Sequence, residues 1–404
     1  MARGARAQRR CSRLWGLLLP LLPLLPLLDL TFSMPKPKGA ERGLGQTLLD
    51  MALESPLYKM LLVPQARRTM VDTAEANGIG WSSALEYIRG QGPWDDSVLQ
   101  GLSSSDGSDN SESSALPSLP SYYQKPFHAY DTGNLNWEAA FEQELASRAV
   151  GARNFPAFGK DGEDAFRAAF DNALDSLGAV VPEGGLIVDM GCGTGISTRR
   201  LAARFPSASQ LIGLDLSPYF VAVGQRLMEL EPPAETWVTD VVADQRVKLQ
   251  VKDAEHTGLR DECASNVNLC LVIHELPPDV TRRVCAEALR LLKPGGQLWI
   301  TEMDFSAPGY VQLRSNPLLF ALIRSTEPYL DEYADSTENL FRHLAELDSV
   351  ASVRLTAATG RHFAAVVTKG PGKGSTLDDR RWDELGNYVV EDTHLQTWES
   401  KLSD

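Results

Sequence analysis

From about residue 166 onward the chain alternates between short apolar runs and amphipathic stretches. Leu186–Val188, Gln210–Asp215, Arg246–Asp253, Asn266–Ile273 and Gln297–Thr301 are short, and most are rich in Val, Ile and Leu, which predicts buried strands. After the first of them the spacing turns helical, with Ile196, Leu201 and Phe205 on one face. Strands alternating with helices predict an α/β fold built on a parallel sheet. Two more β-rich runs, Ser349–Thr356 and His362–Thr368, are joined only by Ala-Ala-Thr-Gly-Arg. So short a connection predicts an antiparallel hairpin, not another crossover.

The flanks follow other patterns. Residues 44–91, within a region 34–102, are predicted helical. Pro64 suits a first helical turn, Asn77-Gly78 a stop, and Ser83 with Glu86 a capping box. Residues 103–121 carry nine serines and no Lys or Arg, a composition expected of an acidic linker. An apparent helical insertion spans Asn316–Leu347, where Leu318, Leu319, Leu322 and Ile323 make a stripe read as core. A helix is predicted near Asp378–Val390, within the tail 370–404, and no chemistry is seen in it.

Between the first strand and its helix stands Asp189-Met-Gly-Cys-Gly-Thr-Gly195. Gly191, Gly193 and Gly195 permit φ > 0 and close approach of a ligand to the backbone. The dinucleotide fingerprint would need Gly or Ala at Ile196, and Asp189 would repel a pyrophosphate. A cationic ligand reverses that sign. Asp215 ends the second strand 20 residues beyond Gly195, where an acid accepts ribose hydroxyls.

Leu186-Ile-Val-Asp-Met-Gly-Cys-Gly-Thr-Gly195 resembles the first motif, VxDxGCGxG, of the class I S-adenosylmethionine-dependent methyltransferases. The resemblance covers residues 166–369. It implies a doubly wound, seven-stranded, mostly parallel Rossmann-like sheet with an antiparallel terminal strand, here with a helical N-terminal extension. It also implies that Asp189, Gly191, Gly193, Gly195, Asp215, Leu216, Asp253 and Ala254 hold S-adenosylmethionine, with Asp253-Ala254 at the adenine edge. Within the family the domain is similar to the quinone-biosynthesis branch. Ile273-His-Glu-Leu-Pro277 departs from the Arg-Asn pattern of that branch, which puts a quinone acceptor in doubt. Methyltransferases with similar flanks are predicted chloroplast proteins of plants and algae.

A sulfonium is already an activated leaving group, so no nucleophilic Cys or Ser motif is needed. His274 leaves the fourth strand where the methyl should lie, and a neutral imidazole there would act as general base, with Glu275 its possible tautomer partner. His128 is the runner-up. It lies in an aromatic segment, Tyr122–Trp137, within the predicted lid 122–165. Anchoring that segment to the core is an equal role for these aromatics. Tyr122 and Tyr130 from the lid, with Tyr329 and Tyr333 from the insertion, are the candidate acceptor contacts. The Pro-Cys motif of cytosine methylation, the Asn-Pro-Pro-Tyr motif of amino methylation and any metal-ligand cluster are absent from the sequence.

Arg3, Arg6, Arg9, Arg10 and Arg13 precede a Leu- and Pro-rich run, so residues 1–33 read as a signal-type targeting peptide. A retained anchor is the alternative, although three prolines and the short run argue against a stable span. The net charge of −14 becomes −18 without residues 1–33, which hold five Arg and one Asp. So acidic a chain repels nucleic acid and favours a small-molecule or protein acceptor. Five cysteines, none in a CxxC pair, form no disulfide framework. A signal-type leader without disulfides suits a plastid protein, the secretory pathway being the alternative. Two other functions stay open: a non-catalytic binding or assembly protein on the same fold, and an NAD(P) oxidoreductase.

Overall fold

The computed structural model describes residues 56–104, 116–230, 244–314, 320, 323–371 and 376–381. The predicted leader lies outside the described residues, as do most of the Ser-rich linker and of the tail.

Eight strands form one sheet: β1 (Leu186–Met190), β2 (Gln210–Asp215), β3 (Val247–Val251), β4 (Ala264–Cys270), β5 (Leu292–Met303), β6 (Val350–Ala357), β7 (His362–Lys369) and β8 (Thr376–Arg380). Their order across the sheet is β3-β2-β1-β4-β5-β7-β6-β8. Only β7 runs antiparallel to its neighbours, as the short 357–361 connection requires. The predicted sheet had seven strands. The eighth is Thr376–Arg380, parallel to β6, where a helix was expected from Asp378. Backbone pairing along the open edge of β6 makes Thr376–Arg380 a strand, and the rest of the expected helix lies outside the described residues.

Strands β1, β2, β4, β5 and β7 are buried along most of their length because both faces of the sheet are covered. Val188, Ile212, Leu298 and Ile300 face one side, with Val284, Ala288, Phe341 and Leu344. Ile187, Leu211, Trp299 and Val366 face the other, with Phe166, Phe170 and Leu201. The covering helices include α5 (Gly162–Ser176), α6 (Ile196–Arg204), α8 (Pro278–Leu291) and α10 (Leu330–Glu346).

A third cluster joins the N-terminal helices α1 (Pro56–Ala76) and α2 (Trp81–Arg89) to α4 (Trp137–Asn154) and α7 (Pro218–Glu229). Ile79, Trp81 and Ile88 pack there with Phe141, Leu145 and Phe220. Helix α1 ends at Ala76, and Gly78 turns the chain with φ 78°, as its position predicts. Two local expectations are corrected. Pro64 lies inside α1, eight residues beyond Pro56, and not in a first turn. Ser83 lies inside α2, whose N-cap is Gly80, and its hydroxyl donates to Gly80 O at 2.9 Å. In the expected 316–347 insertion, the described part from 330 is α10, with Tyr329 as its N-cap.

Strand order reverses between β1 and β4, which places a crevice at their carboxyl ends. Segment 122–136 crosses this crevice and leads into α4, where the Asn136 side chain accepts from Ala139 N–H at 2.8 Å.

Candidate active site

The loop after β1 turns on Gly191 (φ 72°), Gly193 (φ 56°) and Gly195 (φ 90°). A side chain at Gly191 would strike Val272, 2.7 Å from the added carbon. Gly191 and Cys192 donate their N–H groups to Leu214 O at 2.7 and 3.0 Å, which binds the loop to β2. Helix α7 presses on it from behind: a Cβ at Gly224 would stand 2.4 Å from Thr194 O.

Asp189 is turned inward and is 1% exposed. Its Oδ2 accepts from the hydroxyls of Ser197 and Thr198, both at 2.6 Å, and its Oδ1 accepts from Asn268 Nδ2 at 2.7 Å. Burial raises its pKa, and these three bonds with the charge of Arg167 oppose that rise incompletely. The sequence reading aimed this acid at a cation; the structure uses it to tie β1, β4 and α6 together.

Asp215 ends β2 and faces the crevice side of the loop. Its Oδ2 accepts from Gly193 N–H at 2.8 Å, and its Oδ1 from Ser217 N–H at 2.8 Å and from the Tyr123 hydroxyl at 3.3 Å. Burial raises its pKa against the pull of these donors. A ribose fits this acid: a hydroxyl group, that of Tyr123, already lies at its outer oxygen. Leu216 is buried beside it. Asp253 Oδ1 accepts from Glu255 N–H at 2.8 Å, and Ala254 packs against the core. The Tyr122 hydroxyl donates to Glu255 Oε1 at 2.9 Å. A hollow of about 650 Å³ runs along the outer edge of β3 and reaches Asp253.

At the ends of β4 and β5 stands a cluster of ionisable groups. Glu302 is fully buried, and both its oxygens lie 2.9 Å from Nδ1 of His274. It also accepts from the backbone N–H of His274 at 3.2 Å and of Met303 at 2.7 Å. Burial lowers the pKa of His274, but the Glu302 charge and hydrogen bond overcome it and raise the value to about 10. One expectation is corrected here: the carboxylate that orients the ring is Glu302, not Glu275, and its charge favours the protonated imidazole.

His128 sits at the tip of a two-residue turn in which Phe127 and Tyr130 exchange backbone bonds of 3.0 and 2.8 Å. Both turn residues, His128 (φ 50°) and Ala129 (φ 72°), are left-handed, a strained state for side chains of this kind. The turn holds because His128 N–H donates to Thr326 O at 3.0 Å and the ring is gripped on both sides. Its Nδ1 lies 3.3 Å from Asn134 Oδ1, and its Nε2 3.3 Å from Glu327 and 3.5 Å from Glu275. Burial lowers its pKa, and Glu327 and Glu275 together raise it further. Glu275 itself is raised to about 7, first by burial, with the two imidazoles opposing.

The four candidate tyrosines separate. Tyr333 stands 6.3 Å from the His274 ring, measured between centroids. Tyr329 donates to Tyr122 O at 3.1 Å and lies under the ammonium of Lys125 at 4.6 Å. Tyr122 belongs with Glu255, beside Asp253. Tyr130 leaves the group altogether and bonds to Glu142, which Arg67 also binds. Glu302, Glu327, Asn134 and Tyr123 were not singled out from sequence. Among the described residues no group of His, Cys, Asp and Glu is arranged to hold a metal ion. No described helix is long and apolar enough to cross a membrane.

Residues 188–300 match the model of a methyltransferase domain. The chain is 34% identical over 142 residues to an uncharacterized methyltransferase of Emericella nidulans, covering 32% of this chain and 47% of that protein. It is 30% identical over 128 residues to a ubiquinone/menaquinone biosynthesis C-methyltransferase of Geotalea daltonii, covering 31% of this chain and 48% of that one. It thus spans about half the length of these curated relatives. Among solved structures, a phosphoethanolamine N-methyltransferase of Haemonchus contortus in complex with S-adenosyl-L-methionine is similar at 16% identity. That match covers 56% of this chain and 60% of the other, with a TM-score of 0.36.

Proposed function

We propose that this chain, whose central segment is a methyltransferase domain of the class I, S-adenosylmethionine-dependent kind, methylates a small-molecule acceptor by in-line displacement. When bound, the donor supplies a methyl group on a cationic sulfur that leaves without further activation. The chain's residues bind, orient and exclude water. The observation that carries the reading is Asp215: two loop amides fix its carboxylate, and a hydroxyl already meets its outer oxygen. A side chain at Gly191 or Gly193 would strike Val272 or Gln143, so the loop beside it closes only on glycine. Asp253 and Ala254 extend the site along β3, and Asp189 keeps the loop in place from within.

The lid brings His128 over the ends of β4 and β5, where His274 and Glu302 wait. Shielded there, an acceptor held in line with the methyl carbon gains most of its rate from orientation. Calorimetry with S-adenosylhomocysteine on the wild type and on Asp215→Ala tests the site. Binding by the wild type and at least a tenfold loss in the variant are expected, whereas equal affinity would move the site elsewhere. Labelled donor with a small-molecule extract then identifies the acceptor. A plastid location belongs to the same proposal, supported by the basic and then Leu-rich composition of residues 1–33; a fluorescent fusion of the full chain in an algal cell tests it.

A further inference from the structure

We propose that Glu275 takes up the proton that the acceptor loses on methylation, a role that rests on the methyl-transfer reading above. Glu275 ends the short helical turn Ile273–Glu275 that follows β4, beside the point where strand order reverses. Its side chain is 25% exposed although it lies deep in the crevice. No described residue donates a hydrogen bond to its carboxylate, and its ion-pair partner is His128 at 3.5 Å. The groups around it are committed elsewhere. His274 gives its Nδ1 to Glu302, with His274 itself screening Glu302 from the crevice. His128 spends Nδ1 on Asn134 and approaches Glu327 more closely than Glu275. Tyr123 donates to Asp215, whose oxygens are filled by loop amides as well.

Facing Glu275 are thus His128 and Tyr123 from the lid, His274 on its own turn, Glu327 ahead of α10 and Asp215 at the end of β2. Burial and the two acids push its proton affinity up, and the imidazoles restrain it, which leaves a carboxyl able to cycle near neutral pH. In the reaction a bond forms between the acceptor heteroatom and the methyl carbon. The carbon–sulfur bond breaks, and its electron pair stays on sulfur as a neutral thioether. The heteroatom keeps the electrons of its bond to hydrogen, and the proton passes to a Glu275 oxygen. The acceptor class follows: an uncharged nucleophile with a lone pair and a removable proton, an amine foremost. A phosphate or carboxylate next to the reacting atom would meet Glu275, Glu327 and Asp215 at close range.

The test uses the full chain labelled with ¹³C at glutamate side-chain carboxyls, as wild type, Glu275→Gln and Glu275→Asp. One carboxyl resonance, missing from Glu275→Gln, is expected to titrate near neutral pH; titration in the ordinary carboxylate range overturns the proposal. With the acceptor found in the labelled extract, Glu275→Gln should lower kcat about 100-fold and abolish its rise with pH. Glu275→Asp should restore part of both, while S-adenosylhomocysteine affinity stays within twofold in each variant. A Glu275→Gln enzyme that keeps kcat and its pH profile overturns the role. Failure of the wild type to bind S-adenosylhomocysteine overturns the methyl-transfer reading, and Glu275 falls with it.

Discussion

The hydroxyl of Tyr123 lies 3.3 Å from Oδ1 of Asp215, so the segment 122–136 touches the acid proposed to receive a ribose. A ligand that needs this oxygen must first displace the phenol. Tyr123→Phe should therefore tighten S-adenosylhomocysteine binding by about fivefold, roughly 1 kcal/mol for one long hydrogen bond to a carboxylate. Calorimetry reads this directly. Unchanged or weaker binding would mean that Tyr123 serves the ligand instead of competing with it.

The His274–Glu302 pair sets a pH dependence with a definite sign. The folded-state pKa of His274 is raised to about 10 from 6.5. Its stabilising contribution is full below pH 6.5 and is lost as pH rises toward 10. Urea denaturation should show wild-type stability declining between these limits, and Glu302→Gln should flatten that decline even if it lowers stability throughout. Parallel slopes in the two proteins would rule the pair out as its source.

His362 acts at the other end of the scale. It is 3% exposed, bonded to Thr359 Oγ1 at 2.8 Å and packed against Phe166 and Phe170, and burial lowers its pKa to about 3. The unfolded chain binds the proton first, so stability drains as pH falls from 6.5 toward 3. His362→Gln should lose less melting temperature than the wild type between pH 7 and pH 5. An identical loss would place acid sensitivity in other groups.

Ala129 holds φ at 72°, in the left-handed region that a side chain disfavours. Ala129→Gly should stabilise the chain by about 1 kcal/mol through relief of left-handed strain. Thermal unfolding measures it; a lower melting temperature would mean that the turn is not under strain.

Gly224→Ala should have the opposite effect. Its new methyl carbon would meet Thr194 O at 2.4 Å and push the glycine loop off α7. A loss of about 1–3 kcal/mol is expected from such overpacking, together with weaker S-adenosylhomocysteine binding. Full affinity in the variant would show that the loop can shift without cost.

Much of this arrangement was legible in the chain itself. Strands buried on both faces, such as Leu186–Met190 and Gln210–Asp215, carry the short apolar runs Leu186–Val188 and Leu211-Ile-Gly-Leu214, which local pattern detects. The Asp-x-Gly-Cys-Gly turn is likewise local, because its shape depends on residues that adjoin one another. The ionisable cluster is different. Glu302 reads as an ordinary polar residue near a strand end. Only the register of β4 against β5, Cys270 beside Thr301, brings it under His274. Tyr123 and Asp215 are 92 positions apart, and Gln143 meets the N–H of Thr194 across 51. No periodicity connects such pairs. The strand at Thr376 was missed for the same reason, since it exists through the neighbour it pairs with.

That last strand reaches further than its position on the sheet edge suggests. Arg381, 7% exposed, follows it, stacks over Phe363 at 5.7 Å and points a guanidinium nitrogen at Asp304 from 3.6 Å. Asp304 stands two residues beyond Glu302, in the bend through which β5 leaves the sheet. Clipping the polypeptide just ahead of Thr376 would therefore unclasp a counter-charge from that bend. Loss of turnover in such a trimmed protein would then reflect slackening of the bend beside Glu302, with no residue of the crevice removed.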